Sequence, residues 1–173
     1  LEMGRIAFHV EERKGKGPVV IAGGPAITNP APYGRILDGV YIGEAETEFF
    51  DFIQRCVDIA GTVERDNRRE LIIDEMRKER SIWYRGKQER TKRNVWNGFS
   101  DSVPTDYFYP VATMPAVQNH GVAEIMRGCP NGCRFCHAGY FYRPFRERNP
   151  EIVISMVDEL VRKGGYREIT LAS

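Results

Sequence analysis

Cysteine and histidine are scarce in this chain, with four and three copies among 173 residues. Three of the four cysteines fall between positions 129 and 136. A secreted disulfide framework spreads its cysteines and pairs them evenly, so that class is excluded. A tight trio points instead to a metal site in a reducing compartment, and the expected location is the cytoplasm. Net charge is nearly absent, at +1, so bulk charge argues for neither nucleic acid nor a membrane surface. No apolar run approaches the roughly 18 residues of a membrane span. The N-terminus Leu1-Glu2-Met3-Gly4 lacks the charged region and apolar core of a secretory signal. Internal repeats and low-complexity tracts are missing too. What remains is 42% hydrophobic and 28% charged, the composition of a soluble globular protein.

The pattern of apolar residues predicts an α/β fold. Pro18 to Ala22 is a short, non-alternating run suited to a strand buried on both faces. It is closed by Gly23-Gly24-Pro25, a turn signal. Gly39 to Ile42 predicts a second strand. Phe49, Phe52, Ile53, Cys56, Val57 and Ala60 recur at helical spacing, with Gly61 as the expected stop. Glu44 and Glu46 precede that run and read as charges favoured by a helix N-terminus. Between Glu64 and Arg93, eleven Lys/Arg stand against seven Asp/Glu. A helix is expected over 68–80 and a short strand over Ile82 to Tyr84. Residues 94–119 carry Trp96, Phe99, Tyr107, Phe108 and Tyr109 among prolines, the composition of a connector.

The last third predicts one strand–loop–helix–strand unit. Val122 to Met126 forms the first strand. Asn149 is a good N-cap, and Pro150 suits the first helical position. Ile152, Val153, Met156, Val157, Leu160 and Val161 share a helical face. Gly164-Gly165 ends the helix, and Ile169 to Ala172 begins another strand. A parallel crossover of this kind puts its loop at the C-terminal end of the first strand, where α/β proteins keep their chemistry.

That loop reads Gly128-Cys129-Pro130-Asn131-Gly132-Cys133-Arg134-Phe135-Cys136-His137. Thiolates are the natural ligands of iron–sulfur clusters, and a four-iron cluster normally takes four. Here one loop supplies three, which leaves one iron open to a small molecule. A structural zinc bound by the three cysteines with His137 or His120 is the alternative. It lacks the usual second ligand pair. Cys56 lies on the apolar face of its helix and reads as core rather than a ligand.

The pattern C-x3-C-x-aromatic-C, with Phe135 in the aromatic place, resembles the signature of the radical S-adenosylmethionine (SAM) superfamily. The resemblance implies a [4Fe–4S] cluster on Cys129, Cys133 and Cys136, with SAM chelated by the open iron and Phe135 lining its adenine. It implies an enzyme that abstracts hydrogen through a deoxyadenosyl radical, with an electron donor such as flavodoxin or ferredoxin. The substrate it implies is a small molecule, ahead of RNA or protein; no membrane is involved. Beyond the cluster ligands it names no catalytic residue. Many members carry Gly-Gly-Glu at the second barrel strand; here that strand reads ITLAS, ending at Ser173.

The wider run EIMRGCPNGCRFCHAGYFYRPFRERNPE resembles a subgroup that joins an N-terminal cobalamin-binding-like domain to the radical SAM domain. The implied fold is the C-terminal half of a Rossmann-like domain over 1–63, a connector over 64–119, and the first βαβ unit of a partial (β/α)6 barrel over 120–173. The chain is accordingly expected to be an excerpt. Gly23 and Gly24 match the glycine pair that lets a nucleotide tail approach the backbone, although a plain turn explains them equally well. Against cobalamin stands His9, whose neighbours lack the Asp and Gly of the cobalt-ligating motif. Arg134, Arg143, Arg146 and Arg148, interleaved with aromatics, could hold a carboxylate, phosphate or RNA; a solvated, aromatic-packed rim is the favoured expectation. His137 is expected beside the metal site as a hydrogen-bond partner rather than in it.

Overall fold

A computed structural model describes residues 1–13, 15, 17–102, 114 and 119–173. Most of the expected aromatic connector, Tyr107, Phe108 and Tyr109 included, lies outside the described residues. The chain forms two compact units, Leu1–Trp96 and Asn97–Ser173. Both mix helices with small sheets.

In the first unit, β1 (Ile21–Gly23) pairs in parallel with β2 (Gly39–Tyr41). β3 (Ile82–Trp83) lies antiparallel on the other side of β2. The central strand is buried throughout, as its GVY run requires. β1 begins at Ile21 rather than Pro18, because the Val20 amide donates to the Asp38 carboxylate (2.8 Å) instead of a sheet partner. Helix α1 (Glu48–Thr62) turns Phe52 into the core, and α2 (Arg65–Lys78) adds Met76. Tyr41, Phe52, Met76 and Ile82 form the buried cluster, with Ile21, Phe49, Cys56 and Ile73 packed against it. Burial of a side chain such as Phe52 stabilises by about 1.5–3 kcal/mol. α1 runs through Gly61 and ends only where Val63 turns extended (φ −103°, ψ 145°), so Gly61 is not the stop. Glu44 and Glu46 precede α1 and are not its first-turn acids, which are Glu48 and Asp51.

Two polar devices hold this unit together. Asp38, 7% exposed, faces the buried guanidiniums of Arg13 (3.4 Å) and Arg69. Arg13 also donates to the carbonyls of Ala7 (2.8 Å) and Ile36, and Arg69 to that of Pro18 (2.6 Å). A buried carboxylate with two cations and an amide donor is tolerated because its acceptor sites are filled. The second device joins β2 to residues 93–96. The Asn94 side chain donates to the Tyr41 hydroxyl (2.8 Å) and the Glu44 carbonyl (2.7 Å). The Glu44 carboxylate accepts from the Trp96 amide (3.1 Å) and pairs with Arg93 (3.5 Å). Burial pushes the Tyr41 phenol up to about 12.

In the second unit, β4 (Gly121–Glu124) pairs in parallel with β7 (Ile169–Ala172), with Gly121 opposite Ile169. Helix α4 (Pro150–Arg162) connects them and buries Met156 and Leu160 against Ala123. The Asn149 carboxamide accepts from the Glu151 amide (3.0 Å), the expected N-cap. Gly165 takes φ +69° just past the helix end. The expected strand over 122–126 divides at Ile125. Its amide donates to the Ala172 carbonyl (2.9 Å) while its carbonyl accepts from the Arg148 amide (2.8 Å). The chain thus leaves β7 and enters a two-residue ladder, β5 (Met126–Arg127) with β6 (Arg146–Glu147). No described helix is long and apolar enough to cross a membrane.

Candidate functional site

Everything between β5 and β6 is one excursion, and it contains all three clustered cysteines. The ladder pairs Met126 with Glu147 and Arg127 with Arg146, closing the base of the excursion. Gly128 follows at φ +78°, where only glycine sits without strain. A Cβ there would stand 2.6 Å from the Tyr142 carbonyl oxygen and 2.7 Å from that of Pro144. The return strand therefore crosses directly against the start of the cysteine loop.

Cys129 and Cys136 are half-buried and Cys133 is exposed; all are free thiols. The Cys136 amide donates to the Cys133 carbonyl (3.1 Å), which folds the last two cysteines onto one turn. The short helix α3 (Ala138–Phe141) braces the loop from behind. The Tyr140 hydroxyl donates to the Gly132 carbonyl (3.2 Å). Gly139 is buried so close to Asn131 that a Cβ would stand 3.0 Å from its carbonyl oxygen. Phe135 is 91% exposed, so its ring is not used in packing this unit.

Three cysteine thiols on one short loop are the donor chemistry of an iron–sulfur cluster. Each cysteine of an iron–sulfur cluster holds a different iron, so the thiolates need not converge on one point. Among the described residues no three His, Cys, Asp or Glu side chains are placed to hold one metal ion. His137, one of the two histidines in the zinc alternative, stacks on Phe141 with ring centroids 5.1 Å apart. Cys56 is half-buried against the core of the first unit, where burial pushes its thiol up. Gly24 takes φ +107° and turns the chain out of β1 into a turn over Pro25–Ile27, while Gly23 stays in the strand.

The arginines expected at a solvated rim divide. Arg134 is exposed. Arg143 donates to the Gly139 carbonyl (2.8 Å) and lies 5.2 Å over the Tyr140 ring. Arg148 is not at a rim: it is 6% exposed and donates to the carbonyls of Glu124 (3.0 Å) and Ser102 (2.7 Å). Phe99, expected within the connector, is fully buried, with the guanidiniums of Arg148, Arg127 and Arg146 over its ring at 4.3, 4.6 and 5.8 Å. Sequence spacing gave no sign of this, because the ring and its cations lie 28 to 49 positions apart.

Comparison with known proteins agrees with the loop. Residues 1–84 match the family model described as radical SAM proteins, N-terminal, and residues 123–173 match that of the radical SAM superfamily. The chain is similar to the tRNA-2-methylthio-N(6)-dimethylallyladenosine synthase of Bacteroides thetaiotaomicron. The two are 37% identical over 73 residues, 41% of this chain and 16% of the relative. The synthase of the same name from Bacteroides fragilis is 46% identical over 55 residues, 31% of this chain and 12% of the relative. The anaerobic magnesium-protoporphyrin IX monomethyl ester cyclase of Cereibacter sphaeroides is 34% identical over 68 residues, 39% of this chain and 10% of the relative. The matches thus span only 10–16% of the length of these relatives. No solved structure matches the chain. With the superfamily's model lying over β4, the cysteine loop, α4 and β7, this chain belongs to the radical SAM superfamily of enzymes.

Proposed function

We propose that Cys129, Cys133 and Cys136 hold a [4Fe–4S] cluster whose open iron binds SAM. The observation that carries this is three free thiols on a single excursion at the end of a parallel β4 strand, tied off at its base by β5 and β6. Held by Cys129, Cys133 and Cys136, such a cluster would supply one-electron reduction of SAM, drawing on an external donor of the flavodoxin or ferredoxin type, and so the chemistry of hydrogen abstraction from a substrate.

The protein's own part is positioning and exclusion of water. Gly128 lets the loop leave the ladder at a sharp angle. The Tyr140 hydroxyl and the α3 backbone brace the loop behind the cysteines. Phe135, unpacked at 91% exposure, would lie against the SAM adenine. In this proposal residues 120–173 are the first βαβ unit of a partial (β/α)6 barrel, and residues 1–63 are the second half of a Rossmann-like domain. The relatives' names point to substrates of different classes, a tRNA nucleoside and a porphyrin ester. The proposal therefore concerns hydrogen abstraction and leaves the choice of substrate to residues outside the loop.

The test is anaerobic reconstitution of the full-length protein with iron and sulfide, followed by electron paramagnetic resonance with and without SAM. A reduced [4Fe–4S] signal that changes on adding SAM and is lost in Cys129→Ala is the expected result. One zinc per chain and no cluster would overturn it and leave a zinc-stabilised binding module.

A further inference from the structure

Neither matched family model extends over residues 85–122, yet part of that stretch is built into the cysteine loop's foundation. Residues 97–102 turn back on themselves, with the Ser102 amide donating to the Gly98 carbonyl (3.1 Å). The turn drives Phe99 to 0% exposure. Around its ring stand three guanidiniums, each within the roughly 6 Å at which a cation is attracted to an aromatic face. Arg127 is the last residue of β5 and the second before Cys129; its partner across the ladder is Arg146. Arg148 follows β6 and reaches back to the Ser102 carbonyl (2.7 Å), while the Asn149 amide reaches the Ser100 carbonyl (2.9 Å).

Like charges this close repel unless something lies between them or neutralises them. Glu124 takes part of that role, pairing with Arg127 at 2.9 Å and reaching Arg148 at 4.0 Å. The Phe99 ring adds to this, because an aromatic face offers negative charge density to several cations at once. It also fills the space beneath a ladder only two residue pairs long, which has little stability of its own.

We propose that Phe99 is a positioning residue for the cluster. Its ring is the platform on which Arg127, Arg146 and Arg148 are stacked, and it thereby fixes the ladder from which the cysteine loop departs. This rests on the cluster proposed above for Cys129, Cys133 and Cys136. The ring touches no reacting atom; it acts through Arg127 and the Gly128 turn.

The experiment compares Phe99→Leu, which keeps a large apolar side chain of smaller volume and loses the aromatic face, with Phe99→Tyr, which keeps the face. Both are made in the full-length protein and reconstituted anaerobically with iron and sulfide. Iron and sulfide content and the midpoint potential and line shape of the reduced cluster are the readouts, with far-UV circular dichroism to establish folding. Expected for Phe99→Leu is at least a twofold loss of cluster content with a broadened, shifted signal, and restoration in Phe99→Tyr. Full content with an unchanged signal in folded Phe99→Leu overturns the proposal, and so does an equal loss in Phe99→Tyr. Should Phe99→Leu fail to fold, Arg127→Lys decides. It keeps the charge but not the flat stacking surface, and an unchanged cluster there overturns the proposal. Failure of the wild-type protein to take up any cluster would instead refute the cluster itself, which separates the two claims.

Discussion

Substituting Gly128 by Ala should empty the cysteine loop of its cluster while leaving the surrounding unit folded. Two costs follow from the geometry. A left-handed backbone at φ +78° costs a residue with a Cβ about 1–2 kcal/mol. The new methyl would also stand 2.6 and 2.7 Å from two backbone carbonyl oxygens, closer than real Cβ atoms come, and 3.1 Å from the Phe145 Cα. Relieving such overpacking costs about 1–3 kcal/mol more. Against about 2–5 kcal/mol in all stands a ladder of two residue pairs, where each hydrogen bond contributes a net of about 0.5–1.5 kcal/mol. The ladder should give way before the β4–α4–β7 core does, and the loop should splay. Iron and sulfide analysis after anaerobic reconstitution should show cluster affinity at least tenfold lower, because about 1.4 kcal/mol corresponds to a factor of ten. Circular dichroism should show near-native helix. Stoichiometric cluster with a wild-type signal in Gly128→Ala would refute the claim that the return strand pins the loop at this glycine.

In the first unit, Asp38→Ala leaves Arg13 and Arg69 buried without their carboxylate and should cost about 3–5 kcal/mol, seen as a lower urea midpoint at unchanged slope. A loss under about 1 kcal/mol would mean that the buried network is dispensable. Tyr41 sets an alkaline limit. Its phenol is pushed up to about 12 by burial, so the folded state keeps the proton that the unfolded chain sheds near pH 10. Stability from this group is intact below about pH 10 and falls by up to about 3 kcal/mol as pH rises through 12. Tyr41→Phe should flatten that fall in unfolding curves taken between pH 9 and 12; an unchanged slope would place the titration elsewhere.

Residues near in sequence could be read without the structure. The Asn149 cap, the Pro150 start and the apolar face of α4 are set by local hydrogen bonding and a 3.6-residue period. The cysteine trio could be read because its members lie within eight positions of one another. Gly61 misled because a glycine permits a helix stop but does not impose one; Val63, turning extended, ends α1. Glu44 misled because a nearby helix is only one possible partner for an acid, and its partners Arg93 and Trp96 lie about fifty positions away.

The sequence alone places three cysteines in one short loop, a local fact that no packing can alter. It also determined the parallel βαβ frame that presents them, through periodicity and capping. What holds the cysteine loop, and separately the first unit, in place is a matter of tertiary packing. The pairing of Phe99 with three arginines, of Asp38 with Arg13 and Arg69, and of Gly128 with Tyr142 and Pro144 depends on chain closure over 14 to 49 positions. Long-range contacts of that kind leave no period in the sequence, because each partner is chosen by shape and charge in space rather than by its distance along the chain.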